Sequence, residues 1–360
     1  MRAHANGGES TRLARTLAAI RGPNAAAMEA ARTRQDRLTK PPGSLGVLEE
    51  ISVRVAGITG DPRPRIGEKV VIVCAGDHGV VGRGVSAYPP EVTGQMVANI
   101  LSGGAAINVL ARHVGARVVV LDVGVISDAP SHPDLVVRKV GRGTADLSVG
   151  PAMSRLQATE AIEAGIEVAA QQIERGATLV ATGEMGIGNT TPSSAIAAVL
   201  CGRAADDVTG AGTGLDARDR RRKAQLVERA LSVNQPDPND PIGVLAKVGG
   251  FEIGAICGVI LGAAARRVPV VVDGFISTAG ALIAHGLSPW AREYMIATHA
   301  SVEVGHRVML DRLELAPFFD VDFRLGEGTG AALALGFVEA ACKILDEMGT
   351  FESAGVSDGR

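Results

Sequence analysis

The sequence predicts an α/β fold built on a parallel sheet. Short apolar runs, most of them rich in valine, occur at residues 69–74, 117–122, 178–182 and 268–273. Apolar runs without alternation are typical of strands that helices cover on both faces. Segments of helical length separate these runs, and strands that alternate with helices indicate βαβ units. We therefore predict a Rossmann-like large domain.

Helices are predicted where apolar residues recur at helical spacing or where good helix formers dominate between glycines and prolines. They cover residues 24–38, 47–57, 91–113, 155–175, 192–201, 216–232, 252–266, 291–312 and 331–347. The segment 60–64 (GDPRP) is typical of a linker, because its two prolines bar regular structure. We predict a large α/β domain at 63–304, and a small helical domain that both termini form, at 1–62 and 305–360.

Composition excludes several classes of protein. Hydrophobic residues make up 46% of the chain and charged residues 21%, which is typical of a globular protein. The net charge is −3 and no long basic run occurs, so a general nucleic-acid surface is not expected. Since no uninterrupted apolar run reaches the roughly 18 residues of a membrane span and no secretory signal is apparent, we expect a cytoplasmic protein without a membrane partner.

The four cysteines are far apart in the chain, at Cys74, Cys201, Cys257 and Cys342. Their spacing matches no paired metal or redox motif, and three of them fall in apolar runs. We expect buried thiols that act as small hydrophobic residues in a reducing compartment.

Glycine-rich segments follow the predicted strands, at the edge where doubly wound sheets bind ligands. Residues 183–191 (GEMGIGNTT) lead from a strand into a helix, with Thr191 suited to the N-cap and Pro192 to the first helical position. Free N–H groups at such a terminus bind phosphate, but a tight turn explains the glycines equally well. Glu184 ends a buried strand, where an acid is costly unless it is paired or functional.

Three further segments carry polar side chains with two possible roles each. Residues 210–214 (GAGTG) precede a basic cluster whose Lys223 could neutralise a phosphate, although such clusters are usually solvated helix faces. Asp77 and His78 could ligate a metal or orient a substrate, or they could simply pack. His299 and His306 fall seven apart on one predicted helix, and we favour a structural role over a metal site because no dense ligand cluster accompanies them.

Residues 324–330 (RLGEGTG) place one acid, Glu327, among glycines just before a predicted helix with Thr329 as its N-cap. The positive end of that helix would favour the ionised carboxylate, which could then accept a proton or stabilise a cation. A solvated acid that complements the helix dipole is the simpler interpretation of this segment alone.

Taken together, six segments resemble the nicotinate-nucleotide–dimethylbenzimidazole phosphoribosyltransferase family. They occur in family order over roughly residues 36–345, namely 39–46 (TKPPGSLG), 75–79 (AGDHG), 84–93 (GVSAYPPEVT), 183–191 (GEMGIGNTT), 248–250 (VGG) and 324–330 (RLGEGTG). Each segment is weak evidence, but the set is specific. Arg83 departs from the small or acidic residues that the family pattern leads us to expect there.

The resemblance implies a reaction and an assembly. The phosphoribosyl group of nicotinate mononucleotide passes to 5,6-dimethylbenzimidazole, with inversion at the anomeric carbon, giving α-ribazole 5′-phosphate and nicotinate for the nucleotide loop of cobalamin. No cofactor or metal is implied, and the family forms homodimers. The family's fold, an α/β domain with a small helical domain from both termini, agrees with the fold predicted from the residues.

The resemblance also implies roles for particular residues. Glu327 corresponds to the general base, and Glu184 is a second acid that would order the ribose or stabilise a developing cation. The implied benzimidazole pocket uses Ser86, Tyr88, Gln95, Met185 and Leu325. The implied phosphate site uses Gly186, Gly188, Asn189, Thr190 and Lys223.

Two rival functions remain at this stage. A nucleotide-dependent dehydrogenase or kinase would need a glycine fingerprint after the first strand, and residues 76–79 (GDHG) lack its spacing. A non-catalytic nucleotide-binding module would gain little from Glu184 and Glu327 beside an anionic ligand.

Overall fold

The computed structural model describes residues 11–212, 214 and 216–357. Its sheet has six strands, all parallel, in the order β3-β2-β1-β4-β5-β6. The strands are β1 Glu68–Gly76, β2 Ala116–Gly124, β3 Leu135–Val137, β4 Ala177–Met185, β5 Val270–Val272 and β6 Met295–Ala297. The predicted α/β fold with a parallel sheet is confirmed.

Fifteen α-helices occur in the part of the chain that the structure describes. They are α1 Arg12–Ala19, α2 Ala25–Arg37, α3 Val47–Thr59, α4 Glu91–Leu101, α5 Ala106–His113, α6 Arg155–Glu174, α7 Thr190–Cys201, α8 Ala205–Val208, α9 Ala217–Asn234, α10 Pro241–Val248, α11 Phe251–Ala264, α12 Phe275–Leu287, α13 Val304–Leu313, α14 Thr329–Glu347 and α15 Phe351–Ala354. Two 3₁₀ segments, Gly79–Arg83 and Pro289–Tyr294, complete the regular structure.

Helices cover both faces of the sheet, which is why its strands are apolar throughout. Alternate residues of β1 point to opposite faces, so that Ile72 joins one hydrophobic cluster and Val71 the other. On one face, α6 and α11 cross closely: a Cβ on Gly258 would lie 1.9 Å from the carbonyl oxygen of Ile162, and one on Gly165 would lie 1.9 Å from that of Ala255. Only glycine allows backbones to approach this closely.

The long helix predicted at 91–113 is wrong, because this segment forms two helices, α4 and α5. The chain turns between them at residues 102–105, where Gly103 adopts φ +78°. Glu91–His113 is long and apolar enough to cross a membrane by length and composition alone. Its division by a turn, with both helices packed on the sheet, fits part of a folded core better than a span.

The helix predicted at 291–312 is also wrong. The chain there forms the 3₁₀ segment, then β6, then a loop, and only then α13. His299 therefore follows a strand and does not share a helix with His306. The three-residue strands β3 and β6 and the helices α10 and α12 were not predicted, because three residues show no periodicity and the helices lie in almost uniformly apolar or proline-bounded segments.

Both ends of the described chain pack near one another. Helices α2 and α3 contact α14, which also lies against β4. The 39–46 loop is held by Lys40, whose ammonium lies 2.7 Å from Glu49. Residues 1–10 and 358–360 of the predicted helical domain lie outside the described residues, and its division from the large domain stays a prediction. All four cysteines are free, and three are buried, as expected.

Candidate active site

A cleft opens at the carboxyl ends of β4, β5 and β6, the edge predicted for ligand binding. Its walls come from the loops that follow these strands and from the residues before α14. The lining residues are Val85, Ser86, Glu184, Met185, Gly186, Ile187, Gly188, Asn189, Thr190, Gly212, Asp273, Gly274, Phe275, Ile276, Ser277, His299, Ser301, Glu303, Arg324, Leu325 and Gly326. Most of the residues implied for phosphate binding therefore lie together.

The loop after β4 leads directly into α7. The helix starts at Thr190 with Asn189 as N-cap, so the predicted N-cap at Thr191 is wrong. Among the described residues, no side chain caps this terminus. Thr93 stabilises the loop after β4, because its hydroxyl accepts a 3.0 Å hydrogen bond from the N–H of Ile187. This contact gives the 84–93 segment a part in shaping the cleft.

Gly186 is a glycine for a packing reason. A Cβ there would lie 2.4 Å from the carbonyl oxygen of Gly76 and 3.3 Å from Nε2 of His78. The loop after β4 thus rests directly on the loop after β1, with no room for a side chain between them.

Glu184 lies inside the cleft with little solvent exposure. Its carboxyl accepts a hydrogen bond from the side-chain amide of Asn189. Burial, followed by the negative charges of Asp273, Glu252 and Glu327, raises its pKa to about 8, although the Asn189 hydrogen bond works in the opposite direction. Glu184 is therefore mostly protonated at neutral pH, and it can donate as well as accept a hydrogen bond.

Glu327 is buried, with 3% of its surface exposed, and adopts a left-handed backbone with φ +62°. Its carboxylate accepts a 3.3 Å hydrogen bond from the N–H of Ile107, in the first turn of α5. Burial and the charge of Asp273 raise its pKa, while the Ile107 bond lowers it. The neighbouring Gly326 and Leu325 line the cleft, whereas Glu327 is not one of its lining residues.

The acid at the start of α14 is Asp273, which follows a predicted strand but to which the sequence analysis gave no role. Its two carboxylate oxygens accept hydrogen bonds from the N–H groups of Gly328, at 3.2 Å, and Ala331, at 2.9 Å. Thr329 does not cap the helix, because the N-cap is Gly328 and α14 begins at Thr329. Glu327 does directly precede the N-cap of α14, as predicted, but Asp273 accepts the hydrogen bonds from the first N–H groups of that helix.

Lys223 stands behind the start of α7. Its ammonium donates a 2.6 Å hydrogen bond to the hydroxyl of Thr190, and only 1% of the residue is exposed. Burial lowers its pKa to about 8, against the opposing effect of Glu303. Glu303 in turn accepts a 2.8 Å hydrogen bond from the N–H of Gly212. The predicted glycine loop and Lys223 thus meet at the cleft, while Thr213 lies outside the described residues.

The residues implied for the benzimidazole pocket divide into two groups. Ser86, Met185 and Leu325 line the cleft. Tyr88 and Gln95 do not line it and are exposed, Tyr88 to 53%. Arg83, the departure from the family pattern, is paired with Asp146 at 2.6 Å and lies outside the cleft lining.

The residues of the 75–79 motif do not line the cleft, but Gly76 and His78 pack against Gly186, which does. Nε2 of His78 lies 2.9 Å from Oε1 of Glu252, and neither side chain is exposed to solvent. Asp77 accepts a 2.8 Å hydrogen bond from the N–H of Ile126. Within the described residues, no cluster of three or more potential ligands could hold a metal ion. The packing interpretation of Asp77 and His78 accounts for these contacts.

The two histidines meet by a route that the sequence did not predict. Their ring centroids are 6.0 Å apart, although only His306 is on a helix. Burial and the neighbouring His299 lower the pKa of His306 to about 3, and its Nδ1 accepts the N–H of Ser301. His306 is thus neutral and structural, whereas His299 lines the cleft and stacks on Phe319.

A phosphoribosyltransferase family model matches residues 20–356. The nicotinate-nucleotide–dimethylbenzimidazole phosphoribosyltransferase of Roseiflexus sp. (strain RS-1) is 61% identical over 345 residues, which cover 96% of this chain and 98% of the relative. The chain belongs to this phosphoribosyltransferase family. The enzyme of the same name from Desulforudis audaxviator (strain MP104C) is 56% identical over 97% of this chain and 99% of its own.

A solved structure agrees with this membership. The crystal structure of the nicotinate-nucleotide–dimethylbenzimidazole phosphoribosyltransferase from Thermus thermophilus is 48% identical, with a TM-score of 0.89, over 93% of this chain and all of that one. The family resemblance read from the six segments is therefore confirmed. As a phosphoribosyltransferase the chain is an enzyme, which removes both rival functions, the dehydrogenase or kinase and the non-catalytic module.

Proposed function

We propose that this enzyme transfers the 5-phosphoribosyl group of nicotinate mononucleotide to 5,6-dimethylbenzimidazole or a related base. The products are α-ribazole 5′-phosphate and nicotinate, with inversion at the anomeric carbon, and the role is assembly of the cobalamin nucleotide loop. One observation carries the proposal beyond the relatives' names: a single cleft combines a helix terminus backed by Lys223 with the buried acid Glu184, and a second buried acid, Glu327, directly follows two of its lining residues.

The start of α7 is suited to the 5′-phosphate. Gly186, Gly188, Asn189 and Thr190 line the cleft at this terminus, where free N–H groups and the helix dipole favour an anion. Lys223 contacts Thr190 from behind and supplies a full positive charge. A bound phosphate would also restore the pKa of Lys223 towards its ordinary value, because the anion favours the charged amine.

Glu327 is suited to accept the proton of the attacking base. A benzimidazole becomes far more acidic as its second nitrogen bonds to carbon, so a carboxylate with a raised pKa is an adequate base. The leaving pyridinium already carries positive charge, and its departure as neutral nicotinate nitrogen requires no general acid. To reach the cleft, the Glu327 carboxylate has to exchange its bond to Ile107 for one to the base.

Glu184 is suited to the ribose. A protonated carboxyl at neutral pH offers both a donor and an acceptor, which matches a ribose hydroxyl better than a cation. Ser86, Met185 and Leu325 form one wall for the benzimidazole. Tyr88 and Gln95 are retained as proposed contacts of the base, and because both are exposed and do not line the cleft, this requires the loop that carries Tyr88 and the first turns of α4 to move towards it. We also propose that the enzyme is a homodimer and that it is located in the cytoplasm.

The test is incubation of the purified chain with nicotinate mononucleotide and dimethylbenzimidazole, followed by chromatography and NMR of the ribosyl product. The proposal expects α-ribazole 5′-phosphate and an equal amount of nicotinate, with nicotinate released only when a base is present. Absence of product from folded protein with dimethylbenzimidazole, benzimidazole and adenine would overturn it.

A further inference from the structure

Two of the motifs found in the sequence, 75–79 and 248–250, line no part of the cleft. They meet around one buried pair, His78 and Glu252, whose Nε2 and Oε1 atoms are 2.9 Å apart. A Cβ on Gly250 would lie 2.5 Å from Cε1 of His78 and 2.6 Å from Oε2 of Glu252. A side chain at position 250 would therefore have to displace the pair, and glycine leaves it in place.

The pair lies directly behind residues 186–190, the phosphate turn, where β4 leads into α7. A Cβ on Gly186 would lie 3.3 Å from Nε2 of His78, the atom that contacts Glu252, and 3.5 Å from the side-chain amide of Asn189. The carbonyl oxygen of Gly186 accepts a 3.1 Å hydrogen bond from the N–H of Asn189, which closes the turn. His78 thus borders the phosphate turn where the turn begins.

Burial of this pair is costly. Neither side chain is exposed to solvent, and Nδ1 of His78 and Oε2 of Glu252 have no hydrogen-bond partner among the described residues. Apolar residues of the same volume often stabilise a core as well as a buried polar pair does, and unpartnered atoms add a further desolvation cost. The position of the pair beside a binding site therefore indicates a role in that site rather than in general stability.

The phosphate turn has a separate support at each of three points. Thr93 accepts a hydrogen bond from the N–H of Ile187, and Lys223 donates one to the hydroxyl of Thr190. The remaining support, at Gly186, is the buried pair. Since backbone N–H groups bind an anion only when they are held in the right orientation, loss of one support should weaken the binding of phosphate.

We propose that the His78–Glu252 pair positions the phosphate turn, and so sets the affinity of the enzyme for the 5′-phosphate of nicotinate mononucleotide without contacting it. The inference rests on the proposed function for the identity of this phosphate. His78 and Glu252 are positioning residues, because neither of them lines the cleft. Glu252 belongs to the first turn of α11, so the pair connects this buried core helix to the binding of the donor substrate.

The test compares the kinetics of wild type, Glu252→Ala and Glu252→Gln. Glu252→Ala should raise the KM for nicotinate mononucleotide and the inhibition constant of inorganic phosphate about tenfold, the scale of one lost hydrogen bond to an anion. Its kcat and its KM for dimethylbenzimidazole should stay nearly unchanged. Glu252→Gln keeps an acceptor for His78 and should restore both raised constants nearly to the wild-type values.

The matched control is Gln35→Ala, which breaks a buried 2.9 Å hydrogen bond to Ser52 between α2 and α3. It should lower the free energy of unfolding and leave the KM and the phosphate inhibition unchanged. Glu252→Asp keeps the carboxylate but shortens its reach to His78, so it should show the same selective rise. It takes the place of Glu252→Ala if that variant does not fold, as judged by circular dichroism.

Three kinetic results would overturn the positioning role: a loss of stability in Glu252→Ala with unchanged phosphate inhibition, an equal rise in KM for both substrates, or equal losses in Glu252→Ala and Glu252→Gln. Calorimetric titration with inorganic phosphate tests the phosphate turn without turnover. Weaker binding to Glu252→Ala than to wild type and Glu252→Gln would support the positioning role even if no product formed. Equal binding to all three proteins, or no binding to wild type, would overturn it.

Discussion

The carboxylate of Glu327 accepts a hydrogen bond from the backbone N–H of Ile107, and not from α14, the helix that follows Glu327 in sequence. The 3.3 Å hydrogen bond from the Ile107 N–H places this acid at the start of α5, while Asp273 occupies the start of α14. Two buried acids thus lie at two helix termini, and burial together with the charge of Asp273 raises the pKa of Glu327. This arrangement prepares Glu327 as a base that is stronger than an exposed glutamate.

The pH dependence of the reaction should reflect this. Glu327 acts as a base only when deprotonated, so kcat/KM should fall as pH decreases through its raised pKa. The acid limb should therefore lie above 4.5, the ordinary value for glutamate. The measurement is kcat/KM against pH, with circular dichroism at each pH to confirm that the protein stays folded. A limb at or below 4.5 would contradict the raised pKa.

Glu184 should tolerate an amide at neutral pH. Its pKa of about 8 keeps it mostly protonated at pH 7, and glutamine imitates a protonated carboxyl in shape and hydrogen bonding. Glu184→Gln should retain kcat/KM within a few-fold at pH 7, whereas Glu184→Ala should lose roughly 10- to 100-fold, the scale of one or two lost hydrogen bonds. Equal losses in the two variants would mean that the ionised carboxylate is required.

Gly186→Ala should destabilise the fold, because its Cβ would lie 2.4 Å from the carbonyl oxygen of Gly76. Overpacking of this kind costs about 1–3 kcal/mol in free energy of unfolding. Gly82→Ala is the matched control, since a Cβ there meets nothing within 4 Å and its φ is not in the left-handed region. The change at Gly82 should stay within about 0.5 kcal/mol in urea unfolding. Similar changes in the free energy of unfolding for both variants would show that the backbone shifts at little cost to remove the clash with the Gly76 carbonyl.

The buried pair of His78 and Glu252 should be important for stability. Removing one partner of a fully buried hydrogen-bonded pair leaves the other group unsatisfied, at a cost of about 1–3 kcal/mol in free energy of unfolding. Glu252→Ala should therefore lower the free energy of unfolding far more than Glu252→Gln, which keeps an acceptor for His78. The control Glu29→Ala breaks an exposed contact to Arg32 and should cost less than about 1 kcal/mol. A small effect of Glu252→Ala would show that the loops pack without the pair.

The sequence predicted the sheet and the cleft loops because their signals are local. The β1 and β2 strands are long β-branched runs, and the glycines after β4 mark a turn whatever its partner. The short strand β6 gave no such signal, and the apolar residues around it were assigned to a helix. His299 was therefore placed on the wrong element, and its position in the cleft was missed.

The parts of the site that sequence could not predict depend on contacts between distant segments. Glu327 and Ile107 are 220 residues apart, and Asp273 and Ala331 are 58 apart. The local sequence around Glu327 or Asp273 does not indicate which helix terminus each carboxylate contacts in the fold.

The most direct test of the account compares wild type with Glu327→Gln in the transfer of phosphoribose from nicotinate mononucleotide to dimethylbenzimidazole. We predict α-ribazole 5′-phosphate from wild type, and a loss of kcat of at least about 100-fold in the variant, with little change in substrate binding, because a positioned base typically contributes 10²–10⁴-fold. Similar kcat values for the two proteins would contradict the role of Glu327 as the base.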